Sequence, residues 1–204
     1  LIWEEILKNA SWEARDAHTA NNFLGKLWLF SGVGGTAPDY SQNKSDIWYS
    51  SDGKDWTMAT DSAPWGPRRH QCTVVFNGKI WLFGGVTTNE KYLNDVWVSE
   101  DAVNCTQIAK HAAWTPRKGF TSVVYDGKIW VLGGFDTKGA ANDVWSSQDG
   151  INWVLVTSHA NWSPRGGLIA EVFKNKIWVS GGNTPDGMGI PDIWSSSDGV
   201  NWEI

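Results

Sequence analysis

The chain has 204 residues, a formal net charge of −5, two cysteines and 16 tryptophans, a length that suits one domain or a repeat array. The acidic balance argues against a general nucleic-acid binder, which carries a basic face, and no run of eighteen apolar residues offers a membrane span. Cys72 and Cys105 lack a C-x-x-C or metal-ligand spacing, and the first residues lack the basic end and apolar stretch of a signal peptide.

Residues 3–6, "WEEI", match "WTMA" at 56–59, the last strand of a repeat unit. From residue 12 the chain runs through four such units, about 12–58, 65–108, 114–156 and 162–204. Each opens on a loop tryptophan, Trp12, Trp65, Trp114 or Trp162, and then an arginine, Arg15, Arg68, Arg117 or Arg165. The second unit continues with a β-rich stretch, "HQCTVVF", and then the turn dipeptide Asn77-Gly78. Next come the apolar run "KIWLFGG", the polar loop "VTTNEKYLN" and the phrase "DVWVS". Units one, three and four then turn on Asp52-Gly53, Asp149-Gly150 and Asp198-Gly199, and end on Trp56, Trp153 and Trp202. Cys105 stands where unit two would have that tryptophan. No segment shows a helical period. The reading is all-β: a β-propeller of four-stranded antiparallel blades. Residues 1–8 become one extra outer strand, since "WEEI" makes five fourth strands for four of every other kind.

The repeat accounts for every tryptophan, in four registers. A residue that keeps the period serves the repeat unit. Four-stranded sheets cannot bury both faces alone, so each blade must cover the next, and middle strands such as "KIWLF" lose their polar alternation. Large flat side chains fill the gap between sheets, each removing roughly 150–250 Å² from water.

The combination of double glycines (Gly84-Gly85, Gly133-Gly134, Gly181-Gly182), "DVW"/"DIW" and Pro-Arg resembles the kelch repeat, as found in galactose-oxidase-like propellers. Unit one departs from it, with "FSG" at 30–32 and Ala14 before Arg15. The resemblance implies a propeller of commonly six or seven blades. With the surplus strand it favours a part of a larger propeller; two copies as an eight-bladed ring, or a compact four-bladed ring, are the alternatives. The "S-D-G-x-x-W" turns also resemble those of bacterial surface propellers, which implies a secreted or cell-surface setting.

Functional loops cluster on one side of a rigid scaffold. The long second-to-third loops, 33–45, 86–94, 135–142 and 183–191, share a face with the arginine-bearing loops. All five arginines, Arg15, Arg68, Arg69, Arg117 and Arg165, fall there. Guanidinium groups hold carboxylates and stack on aromatics, and the kelch resemblance implies that arginines at this position line a partner pocket. The bland alternative is that a periodic arginine caps carbonyls or bonds the neighbouring blade. Arg69 breaks the period. Trp12, Trp65, Trp114 and Trp162 beside these arginines are candidates for stacking on a sugar ring, or for pinning the loop. No copper set can be assembled from His18, His70, His111, His159, Tyr40, Tyr49, Tyr92 and Tyr125, and the Asp-Gly aspartates read as turn residues, so no metal or cofactor is expected. The expected function is binding, of a protein or glycan at the long-loop face. The alternative is an enzyme acting on an acidic sugar.

Overall fold

A computed structural model describes residues 3–35 and 42–204. Tyr40 and the middle of the 33–45 loop lie outside the described residues. The chain is an all-β, four-blade propeller.

Blade one comprises β1 (Arg15–Asp16), β2 (Thr19–Phe23), β3 (Lys26–Gly34), β4 (Gln42–Ser50) and β5 (Trp56–Thr60). Blade two comprises β6 (Arg68–Arg69), β7 (Cys72–Phe76), β8 (Lys79–Thr87), β9 (Tyr92–Ser99) and β10 (Cys105–Ala109). Blade three comprises β11 (Arg117–Lys118), β12 (Thr121–Tyr125), β13 (Lys128–Asp136), β14 (Gly139–Ser147) and β15 (Val154–Thr157). Blade four keeps β16 (Ile169–Phe173), β17 (Lys176–Ser180) and β18 (Ile193–Ser196), and its last strand shrinks to a bridge between Ser195 and Glu203. All pairings within the sheets are antiparallel.

The short arginine strand and the strand after it are one inner strand in two pieces. Between them the backbone turns through positive φ at Ala17, His70, Gly119 and Gly167. The second strand bends to match, with a register shift between Phe83 and Gly85 and again between Leu132 and Gly134. Glycine is required at this bulge: Gly85 has φ +93°, and a Cβ there would lie 2.7 Å from the Arg69 carbonyl oxygen.

The inner strands β2, β7, β12 and β16 touch in that order about the axis. Three apolar clusters separate successive blades. The first holds Trp28, Trp65 and Trp97; the second Trp81, Trp114, Trp145 and Trp153; the third Trp130, Trp162, Trp194 and Trp202. Eleven of the 16 indoles therefore fill the space between sheets, the role that the period predicted.

Residues 3–7 form no strand, and Trp3 is 97% exposed. The edge of β4 in blade one is taken by β5, so the outer strand expected of these residues belongs to a preceding or closing blade.

Candidate functional site

The four periodic arginines do not form a positive ring at the axis. Their side chains are 0–2% exposed. Each reaches into its own blade and meets the aspartate of the "DVW"/"DIW" phrase. Arg68 donates through Nη1 to Asp95 Oδ1 at 2.8 Å and through Nη2 to Asp95 Oδ2 at 2.9 Å. Arg15 holds Asp46 and Arg117 holds Asp143 with the same two-pronged geometry, and Arg165 pairs with Asp192. The same guanidiniums donate to carbonyls at the bulge, those of Ser31, Gly84, Gly133 and Gly181. Two residues on, along the same strand face, the indole N–H groups of Trp48, Trp97 and Trp145 donate to the same aspartates at 2.7–2.8 Å.

A buried ion pair survives when further hydrogen bonds satisfy its remaining donors and acceptors; at Arg68 the Nε–H is left without a partner. The Arg165 guanidinium beside Asp192 holds its carboxyl below the usual carboxylate range. Burial pushes the Asp143 carboxyl up, but the Arg117 guanidinium and the Trp145 N–H outweigh it, and the net shift is downward.

Arg69 has a different fate. At the axis mouth its Nη1 donates to Asn43 Oδ1 at 2.9 Å, and it pairs with Glu90. Lys118 of the next blade stands 3.8 Å from the same carboxylate, and its Nζ lies 5.3 Å above the Tyr92 ring. Arg69 and Lys118 are 17% and 27% exposed, Glu90 57%. Beside them the inner strands are tied blade to blade by backbone bonds. His70 N–H donates to the Ala17 carbonyl at 3.0 Å, Gly119 N–H to His70 at 3.3 Å and Gly167 N–H to Gly119 at 2.7 Å. Burial, and then the nearby charges of Arg69 and Lys118, push the His70 imidazole below its ordinary pKa. Burial, and then Arg15, does the same to His18. Further in, a cavity of about 380 Å³ runs between the inner strands, with Asn21, Thr73, Ser122 and Glu171 on its wall.

The family model for the KLHDC2/KLHL20/DRC7 Kelch-repeats domain matches residues 17–198. The chain belongs to the kelch-repeat family. No curated protein matches it. The Arg–Asp contacts give the kelch signature of this chain a physical meaning: the arginine, the bulge carbonyl and the aspartate of "DVW"/"DIW" are one hydrogen-bonded unit in each blade, joined by the indole N–H in blades one to three.

The loop tryptophans of the kelch units are also interior. Trp65, Trp114 and Trp162 are buried, and Trp12 is half-buried. Trp114 meets Trp153 edge-on at 6.0 Å, Trp162 meets Trp202 at 6.0 Å and Trp12 meets Trp56 at 4.2 Å. In blade two Cys105 offers no ring, and Trp65 meets Trp97 instead. Trp65, Trp114 and Trp162 pin the arginine loops between blades and are too buried to present a face to a sugar. At the opposite end of the blades the turn aspartates are spent locally. Asp149 accepts from the Asn152 side chain, the Asn152 and Ile151 amides and the Ser147 hydroxyl, which pull its pKa down to about 2.

Of the nine candidate residues, Arg69 alone belongs to the mouth cluster. Its companions Glu90, Tyr92 and Lys118 were missed, because each occurs once and in a different strand or loop. The partner aspartates were legible: Asp46, Asp95, Asp143 and Asp192 recur once per arginine.

Proposed function

We propose that this kelch propeller is a protein-binding module whose partner presents an acidic segment to the axis mouth. Kelch scaffolds commonly serve protein interaction, and the family match supports that class. The observation that carries the finer reading is the contrast in pairing. Four arginines are sealed against aspartates inside their blades, whereas Arg69 and Lys118 share one exposed carboxylate, Glu90. A partner carboxylate can replace Glu90 on Arg69 in the two-pronged manner that guanidinium favours, with Tyr92 and Lys118 adjoining. The backbone bonds linking residues 17, 70, 119 and 167 make this platform rigid, which lowers the ordering cost of binding. The acidic-sugar enzyme required arginines free to hold a substrate carboxylate. The four in register are occupied by aspartates, which leaves Arg69 as the one of the five to hold such a carboxylate.

A peptide array of acidic, neutral and basic sequences tests the proposal. Wild type should select acidic peptides. Arg69→Ala and Lys118→Ala should each weaken that binding about tenfold, the size of one charge-assisted hydrogen bond of about 1.5 kcal/mol, with an unchanged circular dichroism spectrum. Equal binding by wild type and both variants would refute it.

A further inference from the structure

The cations of the mouth converge on one group. Arg69 Nη2 donates to one oxygen of the Glu90 carboxylate, Oε1. Lys118, from the next blade, faces the other oxygen, Oε2, at 3.8 Å, beyond hydrogen-bond reach. Glu90 therefore hydrogen-bonds the guanidinium but meets the ammonium through charge alone. Two positive charges share one negative charge over a space one carboxylate wide. On blade one the register of Arg69 and Lys118 is taken by Asp16, whose charge confines the attraction for an anion to the side of blades two and three.

Other groups hold the cations in place. The Asn43 side chain accepts from Arg69 Nη1 at 2.9 Å and donates to the Val86 carbonyl at 3.2 Å. The Lys118 Nζ is seated over the Tyr92 ring. The carboxylate is held less firmly: Glu90 is 57% exposed, and its side chain can swing into solvent while its turn stays. The Glu90 amide donates to the Thr87 carbonyl at 3.1 Å, and the Thr87 amide to the Lys91 carbonyl at 3.0 Å. Glu90 has φ +56°, in the left-handed region where glycine and asparagine are at home and a long side chain is uncommon. What glutamate adds at this turn is a carboxylate on the two cations.

Displacing Glu90 sets a condition on the partner. A single carboxylate brings the same charge and the same two oxygens, and it must also meet the entropy cost of association that Glu90, tethered beside its cations, has already met. A phosphorylated side chain carries a charge of about −1.5 to −2 at pH 7 and three acceptor oxygens. It can accept from Arg69 and give Lys118 a hydrogen bond as well. Two neighbouring carboxylates match that charge, but both cannot stand where the two cations converge. We propose that the mouth takes a phosphoserine or phosphothreonine of the partner segment, and that Glu90 is the internal occupant it displaces. This specificity rests on the acidic-segment binding proposed above.

Titration calorimetry on the whole chain tests this with one acidic peptide varied at a single place: serine, glutamate, two adjacent glutamates, or phosphoserine. The phosphoserine form should bind about tenfold more tightly than either glutamate form, the size of one added charge-assisted hydrogen bond. Lys118→Met should abolish that preference. Glu90→Gln should tighten the glutamate and phosphoserine forms by the same factor, since it removes a competitor common to both. Both variants should keep the wild-type circular dichroism spectrum. Inorganic phosphate at the peptide's own concentration should not displace the phosphoserine form; if it did, the anion alone would be the ligand and the segment would be overturned. A glutamate form as tight as the phosphoserine form, a preference that survives Lys118→Met, or no response to Glu90→Gln would overturn the phosphate specificity and leave the acidic-segment reading standing. No binding by any acidic form would overturn both.

Discussion

Arg68 and Arg69 are adjacent in the chain and belong to opposite regions of the molecule. Arg68 points into the blade, 2% exposed, and is consumed by Asp95, the Gly84 carbonyl and the Trp65 carbonyl. Arg69 points to the axis mouth, where Glu90 and Asn43 hold it at the surface. Successive side chains of a strand face opposite sides, so one position of this dipeptide serves the fold and the other is offered to solvent. Chemically identical groups therefore carry different consequences: the interior pair is expensive to break, and the mouth pair is cheap to break but reachable.

Mutating the two regions in parallel sharpens the contrast. The largest effect is expected for Arg117→Ala, which strands the Asp143 carboxylate inside blade three. Removing one partner of a buried pair costs about 3–5 kcal/mol, to be read from urea unfolding. Acid should come next. Asp46, Asp143 and Asp192 have folded pKa values below the ordinary 3.8. The unfolded chain therefore takes up protons first as pH falls, so the stabilisation is whole above about pH 5 and is lost progressively below pH 4. Arg165→Ala should flatten that acid dependence by the share that Asp192 contributes, a change that melting curves between pH 3 and 6 would reveal.

A smaller loss is expected for Gly150→Ala. It forces a methyl group toward Trp81 at a φ of +74°, for about 1–3 kcal/mol in the same unfolding measurement. Arg69→Ala should cost no more than about 1 kcal/mol, as for other exposed pairs. The finest probe is His70. Its pKa lies below 6.5 through burial and then the charges of Arg69 and Lys118, so its contribution to stability is present above that value and lost as pH falls through the folded pKa. Arg69→Ala should move the imidazole titration upward in an NMR experiment, whereas Arg117→Met, if folded, should not. Equal responses to the two substitutions would erase the distinction between interior and mouth.

The blade pattern was readable because it is periodic. Asn77-Gly78, "KIWLFGG" and "DVWVS" each state a local preference, and the repetition shows that the preferences belong to one stacked unit. The Arg–Asp partnership was equally periodic, yet arginines near loops suggested a ligand site. Their direction depends on the bulge at Gly84-Gly85, which brings the carboxylate and the carbonyl under the guanidinium. Trp65, Trp114 and Trp162 misled for the same reason. They lie in loops by sequence, but those loops cross between sheets.

Local spacing alone determined the four-stranded unit, its turns and its tryptophan registers, because turn chemistry and side-chain alternation act over a few residues. Only the tertiary structure decided which charges are sealed and which are offered, and which indoles are covered. Glu90 and Lys118 meet at Arg69 because blades set side by side about an axis bring together residues that are distant in the chain.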